Sequence, residues 1–184
     1  MNYIELMVDE HRHIKRMLAV IRKYCYKVLK SEPVDYNDFF GLIDFVRNYA
    51  DQHHHGKEEK LLFNRMVEEL GPAAEKLVKH GMLVEHDMGR LHIQELEAAV
   101  HKVMEGDDEA RLDVIANAIS YVNLLHRHIE KEDNVVYQFA LKNLPQEIQD
   151  NLEKECALFE QDAEAKEIQK KYLDMVAEFE KKVQ

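Results

Sequence analysis

Cysteine is scarce in this 184-residue sequence, with Cys25 and Cys156 far apart and without C-x-x-C spacing. That excludes a disulfide framework and a thiolate zinc site, and makes a reducing compartment the default. Proline and glycine are also few, three and six. The prolines and most of the glycines fall between stretches of helical periodicity, and alternating β-branched runs with Asn-Gly turns are missing. Positive charge is in deficit, 25 Lys+Arg against 36 Asp+Glu, for a formal net charge of −11. A protein that neutralises phosphates carries a basic patch, and no Lys/Arg cluster is present, so nucleic acid is not an expected partner. No unbroken apolar stretch approaches a membrane span. The N-terminal MNYIELMVDE lacks the basic and apolar regions of a signal peptide. The expectation is a cytoplasmic protein that engages neither nucleic acid nor membrane.

What is present is helical. An apolar fraction of 46% suits one domain, and a chain of this length can bury roughly 70% of the surface its unfolded form exposes. Ile4, Met7, Ile14, Leu18, Ile21, Tyr24 and Val28 predict a helix over 2–30, which stops at Ser31-Glu32-Pro33. A second helix is predicted over 36–70, with Gly71-Pro72 as its stop, followed by a short piece over 73–79. A third over 81–105 ends at Gly106-Asp107-Asp108, and a fourth over 109–143 ends before Pro145. Four helices with short connections predict an all-α fold, an up-and-down antiparallel four-helix bundle over residues 1–145. Residues 146–184 carry apolar stripes at Ile148, Leu152, Cys156 and Phe159 and at Ile168, Tyr172, Met175, Phe179 and Val183. They predict one or two additional C-terminal amphipathic helices packed on the bundle.

Histidine is in excess, with 11 residues, and its placement is periodic. Val8-Asp9-Glu10-His11 aligns with Leu83-Val84-Glu85-His86 at an offset of 75. His54-x-x-x-Glu58-Glu59-Lys60-Leu61-Leu62-Phe63 aligns with His128-x-x-x-Glu132-Asp133-Asn134-Val135-Val136-Tyr137 at 74. A two-helix unit carrying His and then His-x-x-x-Glu therefore occurs twice. Spacing i,i+4 puts His54 and Glu58 on one helical face, and likewise His128 and Glu132. If four helices close around a core, His11, His54, Glu58, His86, His128 and Glu132 converge from all four walls. Buried without partners, such groups would cost about 2–7 kcal/mol each, against a whole-domain stability of about 5–15 kcal/mol. A dinuclear metal site removes the conflict. These donors suit iron, manganese or zinc, and carboxylates can bridge two ions while positions stay open for small ligands.

Register within His53-His54-His55 is ambiguous, because adjacent side chains differ by about 100° on an α-helix and only one can face the core. The line through His54 holds Ala50, Val46 and Ile43, whereas that through His55 holds Asp51, Gln52, Asn48 and Asp44. This favours His54/Glu58, as does the repeat, with His55/Glu59 as the alternative. His11 is favoured over His13 by its apolar neighbours and its match to His86.

His11, His54-x-x-x-Glu58, His86 and His128-x-x-x-Glu132 resemble the hemerythrin-like family, in its HHE cation-binding branch. The resemblance spans about residues 5–140 and is carried most by HHHGKEEKLLF and RHIEKEDNVVY. It implies a non-haem di-iron centre with bridging carboxylates and oxo or hydroxo groups. It also implies dioxygen, nitric oxide or peroxide as ligand, in carrier, sensor, stress-defence or iron-sulfur-repair roles. Further expectations are an electron-transfer or iron-sulfur protein as partner, an iron donor or an iron-responsive regulatory module as alternative functions, and a metal- and small-ligand-binding protein in preference to a classical enzyme.

One departure stands out. Oxygen-carrying relatives place two histidines four residues apart on the third helix, whereas His86 has Met82 and Arg90 at those positions. One ion is therefore expected to lack an imidazole and to be more exposed. Gly89, on the face of His86, leaves space there or serves helix packing. His13, His53, His55, His80, His92, His101 and His126 are expected mostly in solvent or behind the ligands. Glu10-x-x-His13 is the sole ferritin-like E-x-x-H pair. Tyr24, Tyr26, Tyr49 and Tyr121 are read as core residues or as groups near the centre. Ligating imidazoles must be neutral, so metal affinity should fall as pH drops through about 6.5.

Overall fold

The computed structural model describes residues 2–183 and is all-α, with no strand among the described residues. Helix α1 spans Tyr3–Leu29. It starts in a capping box in which the Asn2 side chain accepts from the Glu5 N–H and Glu5 accepts from the Asn2 N–H, both at 2.9 Å. The predicted second helix is one continuous rod built of two kinds of turn. α2 (Asn37–Phe45) runs into the π-helical stretches π1 (Val46–His55) and π2 (Glu58–Phe63), then into α3 (Asn64–Leu77). Gly71 breaks it with φ 66°, in the left-handed region open to glycine, and Pro72 follows. π3 (Val78–Met82) leads into α4 (Leu83–Met104). α5 (Arg111–Lys131), π4 (Glu132–Val136) and α6 (Tyr137–Asn143) form the last rod of the repeat. Beyond Pro145 lie α7 (Gln146–Ala165) and α8 (Ile168–Lys182), separated at Glu167.

The rods bury their apolar stripes together, most extensively α4 on α5 and α1 on α5. The core falls into two clusters. One holds Ile14, Leu18, Ile43, Tyr49, Ile93, Leu96, Tyr121 and Leu125. The other holds Met7, Leu62, Phe63, Met66, Met82, Val136 and Tyr137. Along each rod the histidines and glutamates stand between residues of the first cluster and residues of the second. The helical bundle is thus an apolar sandwich around one polar layer.

α7 and α8 cover the outside of this body. Leu152 and Cys156 join the second cluster, and Tyr172, Val176 and Phe179 join the first. The Phe179 ring lies so close to α2 that a Cβ on Gly41 would stand 2.7 Å from it. No described helix is long and apolar enough to cross a membrane.

One expectation is corrected by the local helix geometry. The triplet His53-His54-His55 was expected to turn a single ring inward, yet all three are buried, at 4%, 0% and 4% exposure. They lie in π1, whose i→i+5 bonding widens the turn, so consecutive side chains fan through a smaller angle than on an α-helix. The two outer rings also have buried partners of their own.

Candidate metal centre

α1, π1, π2, α4, α5 and π4 bring the sequence-predicted residues into one place. His11, His54, Glu58 and Glu132 offer donor atoms within 4.8 Å of one another, as do His55, Glu58, His86 and His128. Glu58 belongs to both groups, and all seven residues are buried. His11 Nε2 lies 3.3 Å from Glu132 Oε2, and His54 Nε2 lies 3.6 Å from Glu58 Oε2. His128 Nε2 is 2.9 Å from Glu132 Oε1 and 3.0 Å from His86 Nε2. His55 stacks on His86 with ring centres 3.8 Å apart. The imidazole absent from α4 thus has a counterpart contributed by π1.

Each ring is held from behind by a carboxylate. His11 Nδ1 bonds Asp133 at 2.7 Å, His54 Nδ1 bonds Glu10 at 2.8 Å, His86 Nδ1 bonds Glu59 at 2.7 Å, and His128 Nδ1 bonds Glu85 at 2.9 Å. His55 Nδ1 faces Asp51 at 3.4 Å. The carboxylates are met by cations in turn: Lys15 on Asp133, Lys57 on Glu10, Lys131 on Glu85, and Arg90 on both Glu59 and Asp51. A carboxylate can only accept, so each ring donates its Nδ1 proton outward and turns its Nε2 inward.

That arrangement is the test of fit. His11 Nε2, His54 Nε2 and Glu58 Oε2 are buried and have no hydrogen-bond partner. Lone pairs from several rings and two carboxylates face one another, and protein donors to satisfy them are few. Tyr137, buried and stacked near His11, donates to Glu58 Oε1 at 2.6 Å. Burial, reinforced by the neighbouring Glu132 charge, raises Glu58 well above the usual carboxylate range. Burial would raise Glu132 too, but His128, His11 and His86 outweigh it and hold it well below. Burial would lower His128, yet Glu132 and Glu85 push it up to about 10. All three shifts express one demand, for positive charge between the carboxylates. Divalent or trivalent cations meet it, so these residues fit a metal pair.

Sequence spacing does not assign these carboxylates to the backs of the rings, although their signal is there. Glu10 precedes His11 and holds His54, just as Glu85 precedes His86 and holds His128. Glu59 follows Glu58 and holds His86, just as Asp133 follows Glu132 and holds His11. Lys57 and Lys131 match at an offset of 74, and Lys15 and Arg90 at 75. The repeat thus extends two layers outward from the donors. Glu59 faces the back of His86 and is in neither donor group.

A third set, Glu10, His53 and Glu160, is held together by Lys57, which is fully buried and paired with both carboxylates. Through Glu160, α7 reaches the residue that holds His54. The remaining histidines stand apart: His80, His101 and His126 are exposed, and His13 and His92 half-buried. Glu10 serves His53 and His54 and makes no pair with His13, which faces Asp9 at 3.6 Å. Of the tyrosines, Tyr24 donates to Asp38 away from the site, Tyr26 is exposed, Tyr49 lies beside His53 and Tyr121 near His55 and His86.

An all-α bundle with a buried His/Glu layer approached from every wall defines a cation-binding helical protein. A family model, the hemerythrin HHE cation binding domain, matches residues 2–140, and the chain belongs to that family. α7 and α8 lie beyond the matched residues. Among curated proteins no significant match is found.

Proposed function

We propose that this chain is a non-haem di-iron protein that binds, senses or reacts with dioxygen, peroxide or nitric oxide. In this reading residues 1–145 form an up-and-down four-helix bundle that holds the metals, and residues 146–184 are an extension packed upon it. His11, His54, Glu58, His86, His128 and Glu132 are the ligands, with His55 as a further imidazole beside His86. The observation that carries it is the convergence of unpartnered Nε2 and carboxylate atoms, each ring fixed by its own carboxylate. Imidazole with carboxylate suits iron, with manganese and zinc as competitors. When bound, the metal pair supplies a Lewis-acidic, redox-active seat for a small molecule.

The chain's own residues orient and insulate that seat. The Nδ1 bonds fix ring tautomers, Tyr137 steadies Glu58, and the two apolar clusters keep bulk water from the carboxylates. The proposed partners are small molecules, together with whatever protein exchanges electrons with the centre.

Purified protein reconstituted aerobically with ferrous iron is expected to hold about two irons per chain and to show the near-ultraviolet and visible absorption of a bridged ferric pair. Protein that retains no stoichiometric iron, or only one ion per chain, overturns the reading.

A further inference from the structure

Along one wall of the centre the internal repeat is broken at several neighbouring positions. Where the first half has buried Ile14, the second has Gly89; where the first has Arg47, the second has Tyr121. The Asp51/His55 pair of π1 corresponds to Leu125 and Ile129. At these departures lies a cavity of about 120 Å³, walled by Asp51, His55, His86, Gly89, Arg90 and Tyr121 among others. Tyr121 is only 2% exposed, and its hydroxyl has no hydrogen-bond partner. A Cβ on Gly89 would meet the Tyr121 ring at 3.5 Å and Leu125 at 3.6 Å. Alanine therefore fits, whereas a longer side chain has to fill the cavity or displace the tyrosine.

Volume limits the occupant. Drug-sized ligands use about 300–1,000 Å³, whereas an apolar cavity of about 150 Å³ accepts benzene or xenon. Only a molecule of a few heavy atoms suits this space. Charge narrows the class further, because both guanidinium groups on the wall are matched. Arg47 makes a forked pair with Glu97 at 2.9 and 2.6 Å, and Arg90 bonds Asp51, Glu59 and Asp87. An anion would find these cations already paired, while a neutral acceptor would find the Tyr121 O–H.

We propose that this cavity is the holding pocket for a neutral ligand of a few atoms on its way to the centre. Tyr121 is its hydrogen-bond donor, and Gly89 is the residue that keeps it open. The proposal rests on the di-iron reading and adds which side of the centre the ligand uses. Arg90 lines the cavity and ties down Asp51 and Glu59, the carboxylates behind His55 and His86.

The test uses the full-length iron-loaded protein with nitric oxide as probe, and xenon-pressurised crystals as a readout independent of ligand chemistry. Xenon is expected in the wild-type cavity and absent from Gly89→Leu. Association of nitric oxide is expected to slow on the order of tenfold in Gly89→Leu, because Tyr121 must move first, at unchanged iron content. Tyr121→Phe is expected to keep the iron and to speed dissociation roughly two- to tenfold, the worth of one hydrogen bond. Should Gly89→Leu not fold, Tyr121→Phe decides, and an unchanged dissociation rate overturns the proposal. Wild-type kinetics in both variants, or no xenon in the wild-type cavity, overturn the pocket alone. Wild-type protein that holds iron but binds no nitric oxide overturns the functional reading together with it.

Discussion

Glu58 and Glu59 are neighbours with unlike tasks. Glu58 joins both donor groups and is fully buried, whereas Glu59 accepts from His86 Nδ1 and from Arg90 near the surface. Glu58→Ala is therefore expected to lose stoichiometric metal. Glu59→Ala, which sequence spacing alone would make mild, is expected to keep the ligands and weaken metal binding about 10–100-fold, as for other partners that orient a ligating imidazole. Metal titration of the two variants checks this, and the reverse order of effects would place the ligand register at His55/Glu59. Lys57 gives a test that needs no metal. Its ammonium is buried between Glu10 and Glu160, so Lys57→Ala leaves carboxylate charge uncompensated. A loss of about 3–5 kcal/mol is expected, read by urea denaturation of the metal-free protein. Glu160→Gln, on the partly exposed side of the pair, is expected to cost less.

Among the elements, the π-helical stretches are what sequence periodicity missed, whereas α8 is the amphipathic helix its apolar stripe predicts. Helical spacing located the rods, but π and α turns present similar apolar periodicity over so few residues. What favours π1 is the company of its side chains: Glu10, Glu58 and His86 give three successive rings places to go. α8 is seated by Phe179 against Gly41 and by Arg16, which forks onto Glu180 at 2.9 and 2.7 Å. Gly41→Leu is expected to expel the Phe179 ring and cost about 1.5–3 kcal/mol, the burial of one large apolar side chain. Its signature in hydrogen exchange would be faster exchange confined to α8. Glu180 adds a pH dependence. Its bond to Arg16 lowers its pKa from the usual value, so its contribution is complete above about pH 4.3 and fades as pH falls through the lower, folded value. The side chain is exposed by about a third, so the contribution is at most about 1 kcal/mol. Stability of wild type minus that of Glu180→Gln is expected to shrink between pH 5 and pH 3; a constant difference would mean the ion pair contributes nothing.

For the whole molecule, what could be read in advance and what could not divide along physical lines. That the chain is helical follows from its residues alone, because apolar periodicity and the positions of its few glycines and prolines are local properties. So does the twofold repeat of His and His-x-x-x-Glu, because spacing along a helix fixes which residues share a face. The carboxylates behind the rings are written in that same repeat, beside His11, Glu58, His86 and Glu132, yet a neighbouring acid on a helix means nothing until another rod faces it. That His55 joins His86, that Glu160 of α7 closes on Lys57, and that Gly89 and Tyr121 leave a cavity on one wall are matters of packing. Those outcomes depend on how rods from distant parts of the chain meet. A single sequence encodes that through packing and long-range pairing of charge, where periodicity is silent.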